Sequence, residues 1–211
     1  MYTGYMKLFV WFAYSPLASA ITGVLLALLW GMFAYRHIGA YMATGKIIFL
    51  LICFSELLQA VFFIFRSKPK SVTHHTFDWM VAFGALVTVL FFRPGGLVLF
   101  SGGEVLVFIG VLIQVFALFS LNRSFALIPA LRSVKTRGSY SIVRHPMYAS
   151  YLILFTGYIL TNATFLNFFL YLLELAFLYL RMEQEEKLLS QDEGYRLYKK
   201  RVRFRLIPFV Y

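Results

Sequence analysis

The chain has 211 residues, of which 61% are hydrophobic and 14% charged, and its formal net charge is +11. Average soluble chains carry about 25% charged residues, so this composition excludes an ordinary soluble domain and leaves room for several membrane spans of about 20 residues. The positive excess fits loops that face anionic lipid, and no basic face with a nucleic-acid motif accompanies it, so no nucleic-acid partner is expected.

In chain order, Lys7, the short apolar stretch Leu8 to Tyr14, Pro16 and Ala18-Ser19-Ala20 have the features of a weak signal peptide. A long apolar run follows at once, so the reading is an uncleaved interfacial segment leading into the first span. Four apolar runs come next. They cover about Leu17–Tyr35, ending at Arg36-His37; Ile47–Phe65, ending at "RSKPK"; Phe77–Phe92, ending at "RPGG"; and Val105–Leu121. Each is near the length of a membrane-crossing helix, the third being shortest. Strands are not expected, because no alternating pattern appears and only helices or closed barrels satisfy their backbone in lipid. The single cysteine, Cys53, lies in the second run and is read as an inert buried thiol. His74-His75 is the only close histidine pair, and adjacent side chains diverge, so no metal site is expected.

An acid-free segment from Asn122 to Met147 then carries Arg123, Arg132, Lys135, Arg137 and Arg144. The apolar run from Tyr148 to Leu180 is too long for one ordinary span and is interrupted by "TNAT", Thr161–Thr164. Asn and Thr favour turns and caps, so a tight helical hairpin is predicted, with two legs of roughly 15 residues, each about 22 Å long. Thirteen of the 20 basic residues lie after Leu121. A hairpin puts the acid-free segment and the tail on one side, which the positive-inside rule makes cytoplasmic. The fold class is therefore all-α: a polytopic membrane helix bundle of four spans, a C-terminal helical hairpin and a cytoplasmic polar tail. Residues 1–121 form the N-terminal transmembrane helices and 122–211 the catalytic region, within one integral domain.

The hairpin should bring "RHPMY" (Arg144–Tyr148) against "RMEQEE" (Arg181–Glu186) at the cytoplasmic rim. Pro146 suits the first turn of the hairpin's first helix. Arg181 and Glu185 share a face at i, i+4 if the last helix continues past the membrane. A cationic motif facing a carboxylate motif suits a zwitterionic ligand with hydroxyls, because Arg binds carboxylates with two bonds and carboxylates accept from hydroxyls or ammonium. The ordinary alternative is lipid phosphate at a basic rim and Glu-Arg pairs steadying a helix end. Glu56 and Glu174 lie inside apolar runs, where a carboxyl is expensive and by default functional. They are candidates for lining an acceptor pocket or for holding helices together, with Gln59 one turn from Glu56.

"RHPMY", an Asn in a mid-hairpin turn, and "RMEQEE…L…GYRLYKKRV…IP" together resemble the membrane methyltransferase superfamily of isoprenylcysteine carboxyl methyltransferases and phospholipid N-methyltransferases. The resemblance covers roughly Asn122 to Pro208 and is closest to bacterial members of the isoprenylcysteine type. It implies S-adenosyl-L-methionine as methyl donor, bound at the cytosolic face by the last helices and the tail. The positions matching the family's cofactor motifs are Arg144, His145, Pro146, Tyr148, Asn162, Glu185, Glu186, Tyr195 and Tyr198. Arg181 takes the position implicated on the substrate side and is assigned, with Glu56 and Glu174, to the catalytic set. Gly194 stands immediately before Tyr195, closer than the family's usual spacing, and Leu121-Asn122 replaces its usual Leu-Gly.

The expected partners are a lipophilic, membrane-borne acceptor and membrane lipids; no protein partner is inferred. The expected location is a bacterial inner membrane with the active site on the cytoplasmic face. Two other readings stand beside this one. Sterol and steroid reductases share a related helical architecture and a polar C-terminal nucleotide pocket for NADPH. A transporter or sensor is disfavoured because the polar residues cluster at one rim and not along a midplane path.

Overall fold

The structure, a computed structural model, describes residues 15–65, 67, 69–73, 75–126 and 128–210. The interfacial segment up to Tyr14, Arg66 and Lys68 of "RSKPK", and His74 of the histidine pair lie outside the described residues. Seven α-helices make up most of what is described: α1 (Pro16–Thr44), α2 (Ile48–Ile64), α3 (Thr76–Leu90), α4 (Gly103–Leu121), α5 (Pro146–Thr161), α6 (Phe165–Leu189) and α7 (Glu193–Arg201).

Two helical segments among the described residues are long and apolar enough to cross a membrane: Gly103–Ser124, which is α4 with a 3-10 turn, and α6. The apolar helices Ile48–Phe62 and Thr76–Leu90 are shorter. The expected count of four spans before the hairpin is not confirmed by these two.

Helix α1 runs past Arg36-His37, where the sequence suggests an end. Both polar side chains are satisfied inside the bundle, so they do not break the helix. The Arg36 guanidinium donates to the Leu90 carbonyl at 3.0 Å. His37 is fully buried, with Nδ1 2.9 Å from the Phe33 carbonyl and Nε2 3.3 Å from the Tyr158 hydroxyl. The helix stops at Gly45, whose φ of +69° lets its N–H return to the Tyr41 carbonyl at 2.7 Å.

The turn expected at "TNAT" forms. Asn162 closes α5, and the Thr164 side chain caps α6 by accepting from the Asn167 N–H at 3.0 Å. The legs have 16 and 25 residues, because α6 continues beyond its apolar part to Leu189. They are not packed tightly on each other. Instead α5 lies along α4 and α6 along α3. Glycines decide the first pairing: a Cβ on Gly110 would stand 2.8 Å from the Leu154 backbone, and one on Gly157 would stand 2.5 Å from the Gly103 carbonyl. The second pairing seats the Phe177 ring against Gly84.

Small β-pairings occur in the loops, against expectation. Strand β1 (Ser71–Val72) pairs antiparallel with β2 (Ala130–Leu131), and Leu97 bridges to Ala163. Both lie at helix ends, where loop backbone groups must find partners. The first ties the loop after α2 to the acid-free segment, with the Ser67 N–H donating to the Arg123 carbonyl at 2.7 Å. One end of the bundle therefore gathers the described part of the loop after α2, that of the acid-free segment, and the tail. The other holds the 45–47 loop, the loop from Phe91 to Gly102 and the hairpin turn, with a Lys46–Glu104 ion pair of 3.2 Å.

Candidate active site

At the gathered end, Pro146 occupies the first turn of α5, which leaves the backbone N–H groups of Arg144 and His145 outside the helix. They donate to the carbonyls of Phe204 and Arg205, each at 2.9 Å. The Arg144 guanidinium reaches the carbonyls of Val202 and Arg203 at 2.9 and 2.6 Å. The chain after α7 is thereby strapped across the RHP motif.

Glu186 is the hub of this strap. Its buried carboxylate takes the Arg144 Nε at 2.7 Å, His145 Nε2 at 3.1 Å, the Lys199 ammonium at 2.7 Å and an Arg205 nitrogen at 3.4 Å. A carboxylate can only accept here, so the His145 proton sits on Nε2. Arg205 also pairs with Glu183.

Glu185, one residue earlier, points elsewhere. It lines a cleft with about 870 Å³ of empty space, part of it open to solvent. The Tyr148 hydroxyl donates to its carboxylate at 2.5 Å, and His145 Nδ1 lies 3.9 Å away. The Tyr148 ring stacks on His145, and the Arg181 guanidinium lies over the same ring at 5.3 Å. Arg181, Tyr195 and Tyr198 also line this cleft. The Tyr198 hydroxyl donates to the Tyr140 carbonyl at 2.7 Å, whereas the buried Tyr195 hydroxyl has no partner among the described residues. Burial pushes the pKa of both phenols above the ordinary range, so both stay protonated.

The expected residues are thus distributed. Arg144, His145, Tyr148, Arg181, Glu185, Tyr195 and Tyr198 converge on the cleft, while Glu186 and Pro146 support it from behind. Asn162 is not brought there. It sits at the opposite end of α5, roughly 24 Å along the helix at 1.5 Å per residue, accepting from the Gly95 N–H at 2.9 Å. Neither Glu56 nor Glu174 lines the cleft. Glu56 accepts from Trp30 Nε1 at 2.7 Å and from Gln59 Nε2 at 3.1 Å. Glu174 is buried two turns before Arg181, with Oε2 lacking a hydrogen-bond partner among the described residues. Sequence reasoning missed Arg132, Ser133, Lys135 and Tyr151, all of which line the cleft. The first three lie in the acid-free segment, whose charge was the available signal, and Tyr151 lies one turn after Tyr148.

The cleft offers one free-facing carboxylate, a partnerless hydroxyl, cations and several aromatic faces. That set suits a zwitterionic ligand with hydroxyls and a flat ring, and so fits the donor the motifs suggest. No curated protein matches the chain. Residues 103–191, which include α4, the acid-free segment, the hairpin and the Glu-rich motif, match the model of the isoprenylcysteine carboxyl methyltransferase (ICMT) family, in agreement with the resemblance read from the motifs.

Proposed function

We propose that the protein is an S-adenosyl-L-methionine-dependent membrane methyltransferase that transfers a methyl group to a lipophilic acceptor reaching the rim from the bilayer. The observation that carries the reading is the cleft itself: Glu185, Arg181, Tyr148 and Tyr195 face one space inside the family-matching stretch and its tail. Bound there, the donor supplies a methyl group already activated on a sulfonium, so the protein's tasks are orientation and exclusion of water.

Glu185, held by Tyr148, accepts from ribose hydroxyls or the amino group. The Tyr195 hydroxyl donates to a further polar atom of the donor, and Arg132 or Lys135 answers its carboxylate. The strap at Glu186 keeps α7 and its tyrosines closed over the cleft. Leu121, Phe125, Met147 and Leu189 supply the apolar lining that keeps water out. A proton released by an amine or hydroxyl acceptor leaves by the open side, where Glu185 is the carboxylate at hand. Glu56 and Glu174 act from below, on the acceptor side. The basic end faces the cytoplasm.

Calorimetric titration of the purified protein with S-adenosylhomocysteine tests this. Wild type binds, and Glu185→Gln binds about 10- to 150-fold more weakly, the value of one hydrogen bond to a charged group. NADPH does not compete. Unchanged binding by folded Glu185→Gln, or displacement by NADPH, refutes the assignment.

A further inference from the structure

Below Tyr148 the cleft has a floor that the family match does not explain. Tyr151 lies three residues further along α5, about 4.5 Å deeper into the bundle, and lines the cleft. Its ring is held between those of Tyr148 and Phe155, at centroid distances of 6.4 and 6.3 Å. Phe125 and Met147 line the cleft with it, and belong to an apolar cluster against which Phe62 and Leu86 pack.

Hydrogen bonds settle what Tyr151 can offer. Trp30 Nε1 can only donate, and it donates to Glu56 Oε2 at 2.7 Å. Glu56 Oε1 accepts from Gln59 Nε2 at 3.1 Å. The amide therefore turns its carbonyl to Tyr151, whose hydroxyl donates to it. With its one proton committed to Gln59, Tyr151 has only lone pairs left for the cleft. Arg181 is held over the Tyr148 ring, with Glu185 one turn above it and Glu174 two turns below it on α6.

We propose that Tyr151, oriented by Gln59 and Glu56, selects an acceptor whose head group donates a hydrogen bond, a hydroxyl or an amine, over an ionised carboxylate. The inference rests on the methyltransferase reading and narrows its acceptor class. An ionised carboxylate brings only lone pairs to the Tyr151 oxygen, so the contact is repulsive, whereas an O–H or N–H completes the chain that starts at Trp30.

The test measures binding first. The donor-free protein in detergent is titrated with a long-chain alkylphenol, a long-chain alcohol and a fatty acid of matched chain length. The first two bind more tightly than the fatty acid. Tyr151→Phe weakens them by roughly 5- to 150-fold, the cost of an unsatisfied donor, and strengthens fatty-acid binding, because the repulsive contact is gone. Gln59→Leu frees the Tyr151 proton to turn into the cleft and narrows the gap between alcohol and fatty acid. A fatty acid that binds best, or a Tyr151→Phe variant that discriminates like wild type, overturns the inference. A second arm supplies labelled donor and the same amphiphiles. Label in the fatty acid alone overturns the inference and leaves the methyltransferase reading standing. Failure to bind S-adenosylhomocysteine overturns both.

Discussion

At Glu186 three cationic side chains and the His145 ring converge on one carboxylate, and two of the four groups, Arg144 and His145, come from the motif that opens α5. Removing one partner from a buried ion pair leaves the others uncompensated, at a cost of about 3–5 kcal/mol. Glu186→Gln should therefore lower the thermal unfolding temperature clearly, and its loss of donor affinity should follow from loosening of the tail. Glu185→Gln should do the opposite, lowering affinity for S-adenosylhomocysteine while thermal unfolding stays within a degree or two. Unfolding in detergent and calorimetry on the two variants separate these outcomes, and equal behaviour would contradict the division of roles. Arg181 touches the Tyr148 ring and has Glu185 and Glu174 on its own helix. Arg181→Ala should accordingly depress turnover more than donor affinity, compared as initial rate against calorimetric Kd.

The elements are placed by close approaches as much as by apolar area. α4 and α5 meet where Gly103, Gly110 and Gly157 carry no side chain, the arrangement that lets membrane helices come close without a hydrophobic driving force. A methyl group at Gly110 would meet the Leu154 backbone, which cannot turn aside as a side chain could. Gly110→Ala and Gly157→Ala should each destabilise by about 1–3 kcal/mol through overpacking, read as a lowered Tm. Gly31→Ala on α1, where a Cβ meets nothing within 4 Å, is the control and should leave Tm unchanged or slightly raised. The cleft should suffer with the pair, because α5 carries both Tyr148 and Tyr151.

For the whole molecule, the distribution of loops between the two ends makes a topological prediction. Ser133, in the acid-free segment, and Ser190, after α6, lie at the same end, and Leu97 lies at the other. In a background with Cys53 replaced by alanine, single cysteines at positions 133 and 190 should react with an impermeant thiol reagent from the cytoplasmic side, and one at position 97 from the opposite side. Labelling of 133 and 190 from opposite faces would break the hairpin and with it the cleft.

How much of this was legible depends on the range of the signal. The apolar runs, Pro146 at the head of α5, the Thr164 cap and the meeting of "RHPMY" with "RMEQEE" follow from the sequence by itself, because each rests on residues a few positions apart or on the joining of two hairpin ends. What only the tertiary structure decided is rotation, splay and partner. Each step along a helix turns a side chain by about 100°, so whether Glu185 or Glu186 faces the cleft depends on how α6 seats against α3, where Phe177 meets Gly84. The extension of α1 past Arg36-His37 depends on partners at Leu90 and Tyr158, far along the chain. Asn162 carries a family signal, yet the length of α5 holds it at the far end. The link from Trp30 through Glu56 and Gln59 to Tyr151 joins three helices, and no local pattern announces such a contact, because its residues are neighbours only after the helices have packed.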